Sequence, residues 1–315
     1  MSVRARYVHR PKPYATELNM DCPIVSDSGV QLPIRPEGIA FDLDGTLLDY
    51  DGRLSDSVAR AVQAISRAGI KIFLITGRQQ GGCEEFWRQL CLDTPVATCN
   101  GAHVGFPGEE PFLHIRLGEK ARDTILDLDE RHSLYVNYYI DNHIYTLHDG
   151  PGRDYYSSHY SPVKIAPDRE DIVFRRLPTK CLSITTEADQ PRVIELFRDA
   201  LGSEAVVTRS NERFIELLPP NADKAVGLRA LADWGGIPVD RFIAVGDAMN
   251  DLPMLEAAGF AISFKSGDPR LAKHVDMLLP PLWEDGMDIL AKCILGMTNS
   301  GRFFTPRTQR FFRNQ

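Results

Sequence analysis

Short apolar runs alternate with amphipathic segments in the first third of the chain. The runs at 39–43 and 70–75 are compact and mostly apolar, as in parallel strands that are buried on both faces. Between them, Ser55 can cap a helix that Gly69 can end. One face of this helix carries Val58, Val62, Ile65 and Ala68. The next predicted elements are a helix near 81–91 and a strand at 96–99. This alternation predicts a parallel sheet with crossover helices.

A different pattern fills the middle of the chain, from about 106 to 210. Two apolar stretches, 135–140 and 144–147, flank Asp141-Asn142-His143, which is typical of a hairpin turn. The other elements predicted here are a strand at 180–185 and a helix at 190–201. We therefore predict an α+β domain inserted at this point.

The first pattern resumes after Asn221. This residue can cap a helix that contains Ala225, Leu228 and Leu231. The remaining predicted elements are strands at 242–245, 260–263 and 276–279 and a helix at 250–258. The predicted fold class is therefore α/β, a Rossmann-like parallel sheet interrupted by an α+β insert.

Four segments follow from these patterns. They are an N-terminal arm (1–37), a discontinuous core (38–105 and 211–300), the insert (106–210) and a C-terminal tail (301–315). The arm begins with basic residues but also holds acids and prolines, and it has no secretory apolar stretch. The tail interleaves arginines with phenylalanines, which could stack on a nucleic acid. Docking of these phenylalanines on the protein's own surface is the favoured interpretation.

Composition narrows the class of protein. The 315 residues are 43% apolar and 25% charged, which is ordinary for a globular protein of about two domains. The net charge of −7 gives no general attraction to nucleic acid or to an anionic membrane, and no apolar run is long enough to span a bilayer. The six cysteines are scattered without a CxxC pair. That spacing favours free thiols and a cytoplasmic protein over disulfides or a structural zinc site.

The first chemical motif, Asp42-Leu43-Asp44-Gly45-Thr46, lies where the first predicted strand ends. Ligands bind at this end of the strands in open α/β sheets. Side chains alternate along a strand, so Asp42 and Asp44 can face the same side. Two carboxylates so close repel each other unless a cation or a shared proton relieves them. Mg²⁺ is a suitable cation because it takes hard oxygen ligands and bridges to phosphate.

Two shorter signals suit a phosphate group. Thr76-Gly77-Arg78 closes the second predicted strand, where a hydroxyl and exposed amides can bind a phosphoryl oxygen. Lys224 lies in the first turn of a predicted helix, where a cation is unfavourable unless an anion nearby requires it. Each signal is weak alone, because Thr-Gly is more often only a turn and a lone lysine is usually solvated.

The segment Gly246-Asp247-Ala248-Met249-Asn250-Asp251 brings two more carboxylates and an amide to the end of another strand. Asp251 could be merely an acid at a helix N-terminus, which is electrostatically favourable. Asp247 directly follows a buried strand and a glycine, so a role in binding is the better interpretation.

Taken in order, these four motifs resemble those of the haloacid dehalogenase superfamily, over residues 38–295. Segment 246–255, Asn100-Gly101-Ala102 and Glu284-Asp285-Gly286 are similar to its Cof-type branch in particular. The insert between Thr76 and Lys224 resembles the type-2 α/β cap of that branch. The resemblance implies a Mg²⁺-dependent phosphatase that hydrolyses a small phosphate ester through an aspartyl-phosphate.

The resemblance also implies a role for each matching residue. Asp42 is the expected nucleophile, and Asp44 is the expected general acid and base. Asp42, Asp247 and the backbone carbonyl of Asp44 are expected to hold Mg²⁺, with Asp251 behind these ligands. The expected phosphate-binding residues are Leu43, Thr76, Gly77, Lys224 and Asn250, of which Thr76 and Lys224 count with Asp42 and Asp44 as catalytic.

The chain departs from the family pattern in three places. It reads Lys265-Ser266-Gly267-Asp268 where the branch usually has Asn-Ala. It has Ala225 where glycine is common, and the arm 1–37 lies outside the pattern.

Other functions stay open at this point. A phosphomutase or phosphotransferase could pass the phosphoryl group to a second hydroxyl, although its fourth motif is longer and richer in glycine. A non-catalytic ligand-binding protein of this fold commonly lacks the nucleophile, which Asp42 supplies here. A nucleotide dehydrogenase is disfavoured because no G-x-G-x-x-G follows the first strand.

The expected partner is a small molecule, and the sequence predicts neither the substrate nor the oligomeric state. Tyrosines of the insert could stack on a ring, but core positions are more usual for them.

Overall fold

The computed structural model describes residues 36–298, apart from 160, 167, 169–171 and 211. The predicted tail, 301–315, and nearly all of the predicted arm, 1–37, lie outside the described residues.

The first sheet has eight strands in the order β14-β13-β12-β1-β2-β3-β4-β5. Its strands are β1 (Gly38–Phe41), β2 (Lys71–Ile75), β3 (Val96–Thr98), β4 (His103–Gly105), β5 (Leu113–His114), β12 (Phe242–Val245), β13 (Phe260–Phe264) and β14 (Met277–Leu279). Pairing is parallel from β14 to β3, and β4 and β5 add an antiparallel edge. The predicted parallel sheet is thus confirmed.

Helices cover both faces of the first sheet. They are α1 (Asp56–Arg67), α2 (Glu84–Gln89), α6 (Lys224–Gly235), α7 (Leu252–Ala257) and α8 (Gly286–Thr298). Successive residues of β1 alternate between the two cores: Ile39 and Phe41 pack with α1 and α8, and Ala40 packs with α6 and α7. Burial on both faces explains why the strands read as continuous apolar runs.

The predicted N-cap is correct for α1 and wrong for α6. Ser55 caps α1, as predicted, and its side chain accepts a hydrogen bond from the Val58 N–H. Asn221 was expected to cap α6, but Asp223 does so, because its carboxylate accepts the Val226 N–H. The helix therefore begins at Lys224.

The insert forms a second sheet in the order β10-β11-β9-β6-β7-β8. Its strands are β6 (Tyr135–Ile140), β7 (His143–Thr146), β8 (Val163–Ile165), β9 (Lys180–Ile184), β10 (Val206–Arg209) and β11 (Phe214–Leu218), and its helices are α3 (Glu119–His132), α4 (Pro151–His159) and α5 (Gln190–Leu201). Side chains of α3 and α5 pack on one face of the sheet, in a core that includes Tyr138 and Phe197. Tyr156 of α4 packs with Tyr139 in a separate cluster. The predicted α+β character of the insert is confirmed.

The hairpin between β6 and β7 is tighter than predicted. Ile140 pairs with His143, so only Asp141 and Asn142 form the turn. Both have positive φ, +47° and +60°, which is typical of a two-residue type I′ turn. His143 therefore belongs to β7.

The chain leaves the first sheet after His114 and enters the second at Tyr135. It leaves the second after Leu218 and returns to the first at Phe242. The exact segment boundaries stay a prediction. In the part of the chain that the structure describes, no helix has both the length and the apolar character that crossing a bilayer requires.

Candidate active site

Neighbouring strands bring the predicted motifs to one edge of the first sheet. β1 lies between β12 and β2, so the residues that follow these strands meet at their carboxyl ends. The Asp42 N–H donates to the Val245 carbonyl at 3.0 Å, and the Thr76 N–H donates to the Ala97 carbonyl at 2.9 Å. Asp42 and Thr76 are both buried. The edge therefore holds these polar side chains away from solvent.

Lys224 ties the first motif to the fourth. Its ammonium group donates to Asp42 Oδ1 at 2.6 Å and to Asp251 Oδ1 at 2.5 Å. All three side chains are buried. Burial alone would lower the pKa of Lys224, but the attraction of Asp251 and Asp42 outweighs it and raises that pKa above its ordinary value. The lysine is therefore charged, and it holds two acids in one place.

The buried acids carry more charge than Lys224 can balance. Burial raises the pKa of Asp42 well above its ordinary value; the attraction of Lys224 opposes this, and the neighbouring carboxylates add to it. Burial, followed by repulsion from Asp251, raises the pKa of Asp247 to about 7. A divalent cation at this point would remove both penalties, because it favours the carboxylate form of each acid.

The arrangement of oxygens fits such a cation. Asp42, Asp247 and Asp251 each offer a carboxylate oxygen, and these atoms lie within 4.8 Å of one another. Gly45, with φ +80°, comes so close that a Cβ atom there would lie 2.2 Å from Asp247 Oδ2. Thr46 Oγ1 donates to Asp247 Oδ1 at 3.0 Å. Hard oxygens with an excess of negative charge are the donor set that Mg²⁺ prefers.

Asp251 orders the loop around these oxygens. Its Oδ2 accepts the N–H groups of Asp247 and Ala248, both at 2.9 Å, and its Oδ1 accepts from Lys224. Because both oxygens already hold hydrogen bonds, Asp42 and Asp247 are better able to turn an oxygen to a metal ion.

Asp44 lies outside this acidic cluster. Its carboxylate forms a two-pronged ion pair with Arg78, with Nε to Oδ2 at 2.8 Å and Nη2 to Oδ1 at 2.5 Å. The Asp44 side chain is 55% exposed. Arg78 also donates to the Gly82 carbonyl at 3.2 Å, and its guanidinium lies over the Phe86 ring. The second motif includes Arg78, but the sequence predicted no role for it. Its position directly after Thr76-Gly77 was the one indication that it lies at the site.

The second motif forms a compact polar loop. The Thr76 hydroxyl accepts the Arg78 N–H at 3.1 Å, and the Thr76 carbonyl accepts the Asn100 N–H at 3.0 Å. Asn100 has left-handed backbone angles, φ 54° and ψ 41°. Its side-chain oxygen accepts from Asn250 Nδ2 at 3.2 Å. Asn100 thus links the second and fourth motifs, a role the sequence did not assign.

Leu43 holds the turn of the first motif through its backbone. Its side chain is fully buried in the core with α1 and α8. Its carbonyl accepts the N–H groups of Thr46, Leu47 and Leu48. Any contact between Leu43 and a phosphate must therefore come from its own N–H.

The insert reaches the second motif through a buried lysine that the sequence did not single out. Lys180 Nζ donates to the Gly77 carbonyl at 2.9 Å and to Glu216 Oε2 at 2.7 Å. The ammonium also lies 4.7 Å from the centre of the Tyr139 ring. Lys180, Glu216 and Tyr139 come from three strands of the second sheet, so the face of that sheet opposite α3 and α5 is turned towards the strand ends of the first.

The family model of the haloacid dehalogenase-like hydrolases matches residues 39–288. A Bacillus subtilis relative named 5-amino-6-(5-phospho-D-ribitylamino)uracil phosphatase is 28% identical over 260 residues, which is 80% of this chain and 95% of the relative. A Cronobacter sakazakii relative named HMP-PP phosphatase is 28% identical over 249 residues, 76% of this chain and 88% of the relative.

Solved structures share the fold. A haloacid dehalogenase-like hydrolase from Bacteroides thetaiotaomicron superposes with a TM-score of 0.74 at 22% identity, covering 83% of this chain and 99% of the other. The motif-based resemblance is confirmed, and the chain belongs to the family of haloacid dehalogenase-like hydrolases.

Proposed function

We propose that the protein hydrolyses a phosphate monoester with the help of Mg²⁺, through a phosphoryl group carried on Asp42. The proposal builds on the family of the chain, whose relatives include phosphatases of small phosphorylated metabolites. The observation that carries it is the buried trio of Asp42, Lys224 and Asp251, with Asp247 beside it. Asp42 is held beside the ammonium group of Lys224, and the acidic cluster still carries more negative than positive charge.

Mg²⁺ would be held by Asp42, Asp247 and the backbone carbonyl of Asp44. When bound, it would neutralise the charge of the phosphoryl oxygens and favour the carboxylate form of Asp42. Lys224 would share in this neutralisation from its fixed place in the first turn of α6.

In the first step, an oxygen of Asp42 bonds to phosphorus as the ester oxygen leaves on the opposite side. Thr76, the Gly77 and Leu43 amides and Asn250 would bind the phosphoryl oxygens. Asp44 would give the leaving oxygen its proton.

In the second step, Asp44 takes a proton from water, which attacks phosphorus and frees Asp42 and inorganic phosphate. In this structure the Asp44 carboxylate is held in an ion pair with Arg78. To act as acid in the first step, the Asp44 side chain would have to turn from the guanidinium.

The insert would serve as a lid over this site. The contact from Lys180 to the Gly77 carbonyl supports this, because it joins the second sheet to the proposed phosphate-binding loop. The substrates named for relatives, a uracil derivative and HMP-PP, support a small phosphorylated metabolite as the substrate.

Phosphate release from ribose 5-phosphate and p-nitrophenyl phosphate tests the proposal. The enzyme should release inorganic phosphate with Mg²⁺, stop in excess chelator and recover when Mg²⁺ returns. Calcium should substitute poorly, because its longer bonds and looser geometry misplace the phosphoryl group. Full activity in chelator would contradict the metal site. Transfer to an added sugar without net phosphate release would assign the chain to the phosphotransferases instead.

A further inference from the structure

Two exposed aromatic side chains lie side by side near the carboxyl edge of the first sheet. Tyr50 is 76% exposed and Trp283 is 63% exposed. Their ring centres are 5.7 Å apart and their planes are inclined at 42°. Large aromatic surface kept together in water commonly marks a binding site.

The turn that carries Tyr50 lies on the side of the site that holds Asp44. The Gly52 N–H donates to the Asp49 carbonyl at 2.9 Å, which closes the turn around Tyr50. A Cβ atom on Gly52 would lie 3.5 Å from Arg78 Nη2. Arg78 in turn holds Asp44, the proposed acid for the leaving group. The turn that carries Tyr50 therefore lies next to the ion pair of Arg78 and Asp44.

The loop that departs from the family pattern, 265–268, comes near Tyr50. Burial raises the pKa of the Tyr50 hydroxyl; the nearby Asp247 adds to this rise and the Ser266 side chain opposes it. A Cβ atom on Gly267 would lie 2.7 Å from the Asp247 carbonyl oxygen. Glycine at position 267 thus lets the loop pack closely on Asp247, with Ser266 near the Tyr50 hydroxyl.

Trp283 comes from the turn between β14 and α8. Its neighbour Leu282 packs against the core, so the indole of Trp283 faces outward. Exposed acids flank the two rings: Asp49, Asp51, Glu284 and Asp285. These acids would repel an anionic ring but not a neutral or cationic one.

We propose that Tyr50 and Trp283 form a stacking platform for an uncharged or cationic planar ring on the leaving group of the substrate. This inference rests on the proposed function and names the substrate class, a phosphate ester whose alcohol carries such a ring. Planar rings stack on aromatic side chains in this way. Three tyrosines of the insert, Tyr138, Tyr139 and Tyr156, are less suited because they are buried in its cores.

The test compares ring-bearing esters (AMP, UMP and FMN) with ribose 5-phosphate, which lacks a ring of this kind. The quantity measured is the ratio of kcat/KM for the best ring ester to that for ribose 5-phosphate. Stacking by one aromatic side chain corresponds to about a 5- to 150-fold effect. Tyr50→Ala and Trp283→Ala should each lower the ratio by an amount in that range and leave ribose 5-phosphate turnover unchanged.

Two control variants separate stacking from other effects. Tyr50→Phe keeps the ring and should keep the ratio. Phe112, 49% exposed, lies beside β5 at the opposite edge of the sheet, and Phe112→Ala should also leave the ratio unchanged. A wild-type enzyme without preference for any ring ester, or a preference that survives both alanine variants, would overturn the inference.

Measurements of ester binding distinguish failure of the stacking platform from failure of the proposed phosphatase activity. Calorimetry measures the affinity of Asp42→Asn protein for the three ring esters, with and without Trp283→Ala. Weaker binding of a ring ester with Trp283→Ala, but not of ribose 5-phosphate, supports the platform even if turnover is absent and the proposed function fails. Equal binding overturns it. A change of oligomeric state in the alanine variants with the ratio unchanged would assign the pair to an interface between copies and would also overturn it.

Discussion

Lys224 occupies a position in its helix where a cation is energetically unfavourable. A cation in the first turn opposes the helix dipole, yet Lys224 is buried there between two carboxylates. The ion pairs with Asp42 and Asp251 offset the cost of its position. The two ion pairs, and not the preferences of the helix, therefore account for a lysine at this position.

Asp44 gives a kinetic prediction at the residue scale. An alkyl ester needs a proton on its leaving oxygen, so Asp44→Asn should slow its first step by roughly 10²–10⁴-fold. The nitrophenolate of p-nitrophenyl phosphate leaves without a proton, so its first step should suffer much less. The second step still needs a base. The variant should therefore give a burst of about one nitrophenol per enzyme followed by slow turnover.

The control for this prediction is Asp51→Asn, which changes an exposed acid in the adjoining turn and should behave as wild type. If Asp44→Asn slows both esters equally and gives no burst, Asp44 acts only as part of the metal site.

Asp247 gives a pH prediction with a definite sign. Its pKa in the folded, metal-free protein is raised from 3.8 to about 7, so the folded state favours the protonated form. The associated stability is present below about pH 4 and is lost as pH rises through 7. Metal-free protein should therefore unfold more easily at pH 8 than at pH 5, by up to about 3 kcal/mol.

Thermal unfolding in chelator measures this effect. Asp247→Asn should remove much of the difference between the two pH values, and Mg²⁺ added at pH 8 should stabilise the wild type. A wild type and a variant with the same pH dependence would contradict the assignment.

At the scale of elements, the turn after β1 depends on one glycine. Gly45→Ala would place a Cβ atom 2.2 Å from Asp247 Oδ2, at a residue with φ +80°. Backbone strain of this kind costs about 1–3 kcal/mol, and the displaced carboxylate should also weaken Mg²⁺ binding. Gly108→Ala is the matched control, because Gly108 has φ +83° and no atom near its Cβ position.

Titration of activity with Mg²⁺ separates the two variants. Gly45→Ala should need much more Mg²⁺, whereas Gly108→Ala should lose only stability. Equal Mg²⁺ requirements would show that the contact with Asp247 is unimportant.

The strands of the insert supply a second buried ion pair. Lys180→Met would leave Glu216 buried without its cation, which typically costs about 3–5 kcal/mol. The double variant Lys180→Met/Glu216→Leu should recover most of that loss. Lys120→Met breaks an exposed pair with Glu204 and should cost less than about 1 kcal/mol.

Denaturant unfolding of the wild type and these three variants provides the comparison. A loss from Lys180→Met no larger than that from Lys120→Met would show that the buried pair does not stabilise the insert.

At the scale of the whole molecule, the sequence predicted most of the first sheet but less of the insert. Buried strands such as β1 and β12 are short apolar runs before Asp or Gly, and these are strong signals. The edge strands β4 and β5 are too short to show a period. α3 is largely polar, and α4 lies in a stretch rich in tyrosine, so neither gave a clear apolar stripe.

The site was also predicted only in part from the sequence. Asp42, Asp247 and Lys224 meet as the motifs predict, because parallel strands deliver their carboxyl ends to one edge. The bond from Lys180 to the Gly77 carbonyl joins residues 103 positions apart, and the pairing of Arg78 with Asp44 depends on side-chain direction. Contacts of these kinds follow from tertiary packing and have no local pattern in the sequence.

Phosphate carried on Asp42 is the central claim, and rapid quenching tests it most directly. Enzyme with Mg²⁺ is mixed with ³²P-labelled p-nitrophenyl phosphate and stopped in acid within the first turnover, and the labelled protein is mapped by peptide. Asp44→Asn, which should retain the intermediate, provides the more sensitive sample. The account predicts label on the peptide at Asp42 and none in Asp42→Asn. An active enzyme that yields no labelled protein, or label on another residue, would contradict it.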